Sequence, residues 1–269
     1  MERIIDACDK GKHVALESPT GTGKTLATLT SVLAWQSKRL RETGTCPQIL
    51  YGTRTHLQVG QVVKELRKTG YRPTMAPLGS REKMCRNEVI KRKCAGSNSR
   101  LTIECRQACR LATKMPPGPG ACNAYAGLGN QNVAGKLLDF HVGARGTGSQ
   151  VAIPRAWDIE DLISTCGGKT NGGECAYYAS HILAGASHLV ICPYQYILDP
   201  SVSRCKSGHR SEWSMKDRIV ILDEGHNIEH TCREAGTLDL VQSRLKQIRE
   251  VLVGEKFPKE NFRVNREMR

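Results

Sequence analysis

The chain has 269 residues, 40 of them Lys or Arg and 26 Asp or Glu, for a formal charge of +14. With 39% apolar residues it can bury a core, which excludes a disordered polyelectrolyte, and its length allows one large domain or two small ones. No apolar run approaches the roughly 20 residues of a membrane helix, no charged-then-apolar leader opens the chain, and the basic excess favours a polyanionic partner such as nucleic acid.

Four short apolar runs predict buried strands: His13–Leu16, Gln48–Tyr51, His188–Cys192 and Arg218–Leu222. Helices follow two of them. Thr25–Trp35 carries Leu26, Leu29, Val32 and Leu33 at helical spacing, and Leu57–Lys68 carries Val59, Val62, Val63 and Leu66. This alternation predicts an α/β fold, a parallel sheet with helices on both faces. The middle differs. Twelve of the 26 glycines fall between Gly118 and Gly173, which argues against mostly regular structure there. Between Arg81 and Lys114, ten Lys or Arg face three Glu, and Arg81, Lys83, Arg86, Lys91, Arg92 and Lys93 are candidates for nucleic-acid backbone contact. Residues from about 80 to 180 therefore read as a basic, glycine-rich and cysteine-rich insertion. Leu238–Val253 again predicts a helix, with Val241, Leu245, Ile248 and Leu252 on one face.

Ser18-Pro19-Thr20-Gly21-Thr22-Gly23-Lys24-Thr25 follows a predicted strand and opens a predicted helix, the setting of a phosphate loop. Gly21 and Gly23 let the backbone wrap phosphate oxygens, and the amides and helix N-terminus attract the anion. Lys24 suits the β and γ phosphates of ATP, and the Thr25 hydroxyl suits Mg²⁺. Ser18 stands where the usual pattern has glycine. The run Arg218–Leu222 ends in Asp223-Glu224-Gly225-His226. Asp223 suits the Mg²⁺ shell, Glu224 a general base for the attacking water, and His226 a link to neighbouring elements or a satisfied core histidine. Lys24 and Asp223 lie 199 residues apart. That exceeds what a few βα units of about 30–40 residues need, by about the length of the insertion.

Twelve cysteines in a long chain with a nucleotide site suggest metal or cluster ligands in a reducing compartment. There is no C-x₂-C pair, which argues against a zinc ribbon, and the only close pair is Cys105-x₃-Cys109. Free buried thiols and a zinc site are the alternatives.

Six stretches, Glu17–Thr25, Tyr51–Gln58, Leu78–Cys85, Ala156–Leu162, Cys192–Asp199 and Val220–Ile228, occur together in one order. With them the chain resembles the superfamily 2 iron–sulfur DNA helicases, the XPD-like group, and within it the telomere-elongation-regulator and Fanconi-anaemia-group-J branch. The resemblance implies a RecA-like P-loop motor domain interrupted by an iron–sulfur insertion. Its parts would be residues 1–79 and 181–235 for the motor, 80–180 for the insertion and 236–269 for the start of a helical arch domain. It implies that Thr53, Arg54, Thr55, His56 and Gln58 contact the DNA backbone. It also implies a [4Fe–4S] cluster, on Cys85 (after Ser80-Arg81), Cys122 (before Tyr125), Cys175 (before Tyr177-Tyr178) and a second ligand that is best Cys105, then Cys109, then Cys94. The implied activity is ATP-dependent 5′-to-3′ DNA unwinding in nuclear DNA repair, with single-stranded or forked DNA as the partner. A second motor domain has no room before residue 269, so the chain is expected to bind ATP and DNA without unwinding. The alternative is a stand-alone nucleic-acid-binding module whose P-loop hardly hydrolyses ATP.

Overall fold

Aliphatic runs without polar alternation make strands buried on both faces, and Ile49, Leu50, Leu189, Val190 and Ile191 are fully enclosed. The computed structural model describes residues 1–19, 21–114, 119–128, 156–166, 173–203, 215–237 and 249. Its sheet comprises β1 (Gln48–Thr53), β2 (Met75–Pro77), β3 (Leu189–Pro193) and β4 (Arg218–Leu222), all parallel, in the order β2-β3-β1-β4. The register sets Thr53 opposite Pro193 and Gly52 opposite Leu222, so β1, β3 and β4 end together. That carboxyl end is where open α/β sheets place their ligands.

One predicted strand is corrected. His13–Leu16 has no regular structure, and Val14 and Leu16 are 46% and 50% exposed. A strand needs a ladder for its backbone groups, and this segment pairs with none of the described strands. The three-residue β2 was not foreseen. It is too short to show a pattern, and its Pro77 fits an edge position, where a missing N–H costs least.

Three helices belong to the first part of the sheet domain: α1 (Glu2–Lys10), α2 (Lys24–Thr43) and α3 (His56–Lys68). Helix α2 packs on α1 and α3, and Trp35 Nε1 donates to Asp9 Oδ1 at 2.7 Å. A buried and a half-buried amide lock the sheet's other end. Gln36 Nε2 donates to the Pro47 and His188 carbonyls, and Gln48 Nε2 to those of Ala184 and Ser187.

The basic part of the insertion is helical, as α4 (Arg81–Met84), α5 (Glu88–Cys94) and α6 (Asn98–Ala112). Ser80, Asn87 and Ser97 cap these helices by accepting from the N–H three residues on. Then come α7 (Asn123–Gly127), α8 (Ile159–Cys166) and α9 (Ala176–Gly185). Arg67 of α3 fixes the chain's return at α8. Its guanidinium donates to the Ala156 carbonyl (3.0 Å), Asp158 (3.0 Å) and Asp161 (2.8 Å). After β3 lie α10 (Gln195–Leu198) and α11 (Pro200–Ser203). After β4 come a 3₁₀ turn (Gly225–Asn227) and α12 (Ile228–Gly236). Most of the glycine-rich stretch, the expected helix Leu238–Val253 apart from Arg249, and the expected arch segment beyond residue 237 lie outside the described residues.

Candidate nucleotide, DNA and thiol sites

Gly23 opens α2 in the left-handed region (φ 77°), as does Gly21 in the loop before it (φ 78°), conformations that disfavour any side chain. The Ser18 and Thr22 hydroxyls lie 2.6 Å apart, and Thr22 donates to the Pro19 carbonyl at 2.8 Å, which closes the loop on itself. Thr20 lies outside the described residues. The loop brings Lys24 to the acidic pair: Lys24 Nζ is 3.2 Å from Glu224 Oε1.

Asp223 directly follows β4, and its N–H donates to the Gly52 carbonyl at 3.0 Å. Its Oδ2 accepts from the Tyr51 hydroxyl at 3.2 Å and its Oδ1 from the Glu224 N–H at 3.1 Å. Tyr51 is fully buried beneath. Burial and then Asp223 raise its pKa against a smaller opposing pull from Thr25, so it remains a donor. Tyr51 and Asp223 are thus joined directly beneath the site. Glu224 adopts a left-handed backbone (φ 54°), strained for a non-glycine residue and held by Asn227, whose N–H and side chain both donate to its carbonyl. His226 is 71% exposed, so it is no core histidine. Its Nδ1 lies 3.5 Å from Glu224 Oε2, and its Nε2 pairs with Asn227 Nδ2.

The residues implied for DNA contact divide in two. Thr53 is buried and donates to the Thr55 carbonyl. Thr55 and Gln58 form a reciprocal capping box at the start of α3, a pattern readable from T-x-x-Q in the sequence. These three shape the loop. Arg54 and His56 line a groove of about 500 Å³ together with Arg81, Arg106, Tyr177 and Gln195. Two enclosed nitrogens border it, His56 Nδ1 and Arg81 Nε, with no hydrogen-bond partner among the described residues. Burial, then Lys83, lowers the His56 pKa against a smaller opposing pull from Glu82. Arg81 is not a free surface cation: its guanidinium lies 4.2 Å from the Tyr177 ring centre and donates to the Tyr178 hydroxyl. Burial opposes its charge, but Tyr177, Tyr178 and Cys105 outweigh this and raise its pKa. Arg86 donates to the Ile163 carbonyl and Lys93 pairs with Glu104 of α6, which ties parts of the insertion together, while Lys91 pairs with Glu88 within α5. Tyr177 and Tyr178 are buried and stack edge-on, which leaves neither face to a base.

Behind Arg81 five thiols act on one another: Cys85, Cys105, Cys109, Cys122 and Cys175. Burial, then neighbouring thiols, raises Cys85, and burial above all pushes Cys175 up to about 12. Cys105 and Cys109 share a helix face with sulfurs 4.0 Å apart. The bond from Cys109 lowers Cys105 and raises Cys109. The Cys122 N–H donates to the Ala108 carbonyl and that of Cys175 to Ala124, joining three chain segments around the thiols. Cys94 is buried, and burial, then Glu174, raises Cys166 against a smaller opposing pull from Arg86. Among the described residues no three His, Cys, Asp or Glu side chains gather closely enough for a single metal ion. A soft donor set in which burial and neighbouring thiols raise Cys85, Cys109 and Cys175 suits a positively charged thiophilic centre, which reverses that penalty.

Sequence reasoning passed over Tyr51, Tyr194, Arg67 and Arg106. Tyr51 and Tyr194 stand inside recognisable motifs but have no polar pattern, and Arg67 meets its partners about ninety residues away.

The chain is 32% identical to the Regulator of telomere elongation helicase 1 homolog of Oryza sativa subsp. japonica, over 91% of this chain and 25% of that protein. It is 32% identical to Regulator of telomere elongation helicase 1 of Mus musculus, over 94% of this chain and 22% of that protein. It thus spans about a quarter of the length of these curated relatives. A solved XPD helicase aligns with a TM-score of 0.50 at 16% identity, over 84% of this chain and 31% of that one, which supports the RecA-like α/β fold. The DEAD_2 family model matches residues 51–245, well over half of the chain, and the chain therefore belongs to the DEAD_2 family.

Proposed function

We propose that this chain is the N-terminal part of an ATP-dependent 5′-to-3′ DNA helicase serving DNA repair and genome maintenance in the nucleus. The observation that carries the reading is the meeting of Lys24 and Glu224 at 3.2 Å, across 200 residues, where β1, β3 and β4 end. The loop amides and Lys24 hold the β and γ phosphates of ATP. The Thr25 hydroxyl and Asp223 would hold Mg²⁺, which neutralises phosphate charge when bound. Arriving phosphate takes Lys24 from Glu224, and the freed Glu224 carboxylate can accept the proton of the attacking water. Single-stranded or forked DNA is read by its phosphates, with Arg54 and His56 in the groove and Thr53, Thr55 and Gln58 shaping the loop beneath. A [4Fe–4S] cluster would sit on Cys85, Cys122, Cys175 and one thiol of the pair Cys105 and Cys109, cross-linking the insertion. The relatives' names fit the nuclear setting.

The test is equilibrium binding of Mg·ATPγS and of a labelled oligothymidylate. Both are expected to bind wild-type protein, DNA binding to weaken steeply with salt, and Lys24→Ala to lose the nucleotide alone. Wild-type protein that binds no nucleotide overturns the reading. DNA binding with no nucleotide site would leave a stand-alone nucleic-acid module.

A further inference from the structure

Tyr194 follows β3 and precedes α10, and its side chain is fully buried. Its N–H donates to the Thr53 carbonyl at 2.8 Å, which ties it to the loop that carries Arg54. Helix α10 packs on α12, the helix that follows the acidic pair. The Tyr194 hydroxyl is enclosed and has no hydrogen-bond partner among the described residues. A buried hydroxyl left unsatisfied is unusual, and phenylalanine would fill the same space at no such cost. The charges acting on this oxygen come from both sites. Burial, then Asp223 and Glu224, pushes the phenol up to about 12, and Arg54 pulls it down. Asp223 does not need it for support, because Tyr51 and the Glu224 N–H already occupy that carboxylate.

We infer that Tyr194, at the end of β3 and tied to the loop that carries Arg54, is a positioning residue that couples the DNA groove to the nucleotide site through its enclosed hydroxyl. This rests on the proposed nucleotide and DNA sites and adds the link between them. A phenol both donates and accepts. When triphosphate takes Lys24 from Glu224, the Tyr194 hydroxyl donates to the freed carboxylate. It then accepts from Arg54, whose orientation a DNA phosphate sets. Each ligand changes the field in which the other binds, and linkage makes the effect reciprocal.

The experiment measures the affinity for Mg·ATPγS with and without saturating oligothymidylate, and the converse, together with the unfolding midpoint. Each ligand is expected to tighten the other about fivefold or more, and Tyr194→Phe to bring that factor to about one with each separate affinity within about twofold. The midpoint of Tyr194→Phe is expected to stay or rise. Coupling that survives in Tyr194→Phe overturns the inference, as does wild-type protein that binds both ligands without coupling. A lowered midpoint overturns it too, since the hydroxyl would then serve the fold. Wild-type protein that binds only one ligand, or neither, overturns the underlying reading of the sites, and the inference falls with it.

Discussion

Lys24 and Glu224 keep 32% and 33% of their side-chain surface open, whereas Cys105, Cys109 and Cys122 are each only 6% exposed. The nucleotide end is shaped by backbone: two left-handed glycines, a strained Glu224 and strands that end in register. Its charged tips carry little of the core. In the insertion the reactive groups are themselves core. The thiols pack with Tyr125, Tyr177 and Tyr178, where a larger domain would have aliphatic layers. Chemistry and stability are therefore separable at the first site and joined at the second.

Cys122→Ser is the harshest test of that contrast. It removes a proposed cluster ligand from a buried centre, and loss of a structural metal group belongs with the changes that cost more than about 4 kcal/mol. Iron and acid-labile sulfide are expected to vanish in anaerobically purified protein, and limited proteolysis to open the insertion, while Mg·ATPγS still binds. Lys24→Ala is the converse. Nucleotide affinity is expected to fall about 10–100-fold, as for a lost charge-assisted contact, with stability within about 0.5 kcal/mol by urea unfolding. If Lys24→Ala destabilises the chain as much as Cys122→Ser, the contrast fails. Arg67→Ala probes the seam. Its bonds to Asp158 and Asp161 are partly exposed and screened, so a loss of about 1–2 kcal/mol is expected, read as faster hydrogen exchange in α8 alone.

The parallel sheet was legible because aliphatic runs and helical spacing are local signals, and Gln48–Thr53, Leu189–Pro193 and Arg218–Leu222 all form near the expected limits. The meeting of Lys24 with the Asp223–Glu224 pair was legible because these residue types have few other uses together. The run His13–Leu16 misled because hydrophobicity predicts a strand without saying whether a neighbour will pair with it. The thiol group could not be read from spacing, since Cys85, Cys122 and Cys175 come from separate helix ends. Nor could the fate of the basic run. Charge density suggested a DNA-gripping face, but Arg81, Arg86 and Lys93 are engaged within the insertion.

His56 gives the smallest effect and tests whether the groove is built for phosphate. Its side chain is half-buried, and burial with Lys83 lowers its pKa below the ordinary 6.5, Glu82 opposing. The folded chain therefore holds it neutral where the unfolded chain would begin to protonate. Stability from this residue is full above about pH 6.5 and declines as pH falls through that value toward the lowered one. A DNA phosphate beside the enclosed Nδ1 favours the charged form and raises the pKa again. Binding then takes up a proton, so oligothymidylate affinity is expected to rise about two- to threefold from pH 7.5 to 6 at constant salt, a free-energy change well under about 1 kcal/mol. In His56→Gln the rise is expected to disappear while the stability loss on acidification shrinks. Equal pH dependence in both proteins would mean that DNA does not reach this nitrogen, and the groove would lose its claim to the phosphate backbone at its Arg54 end.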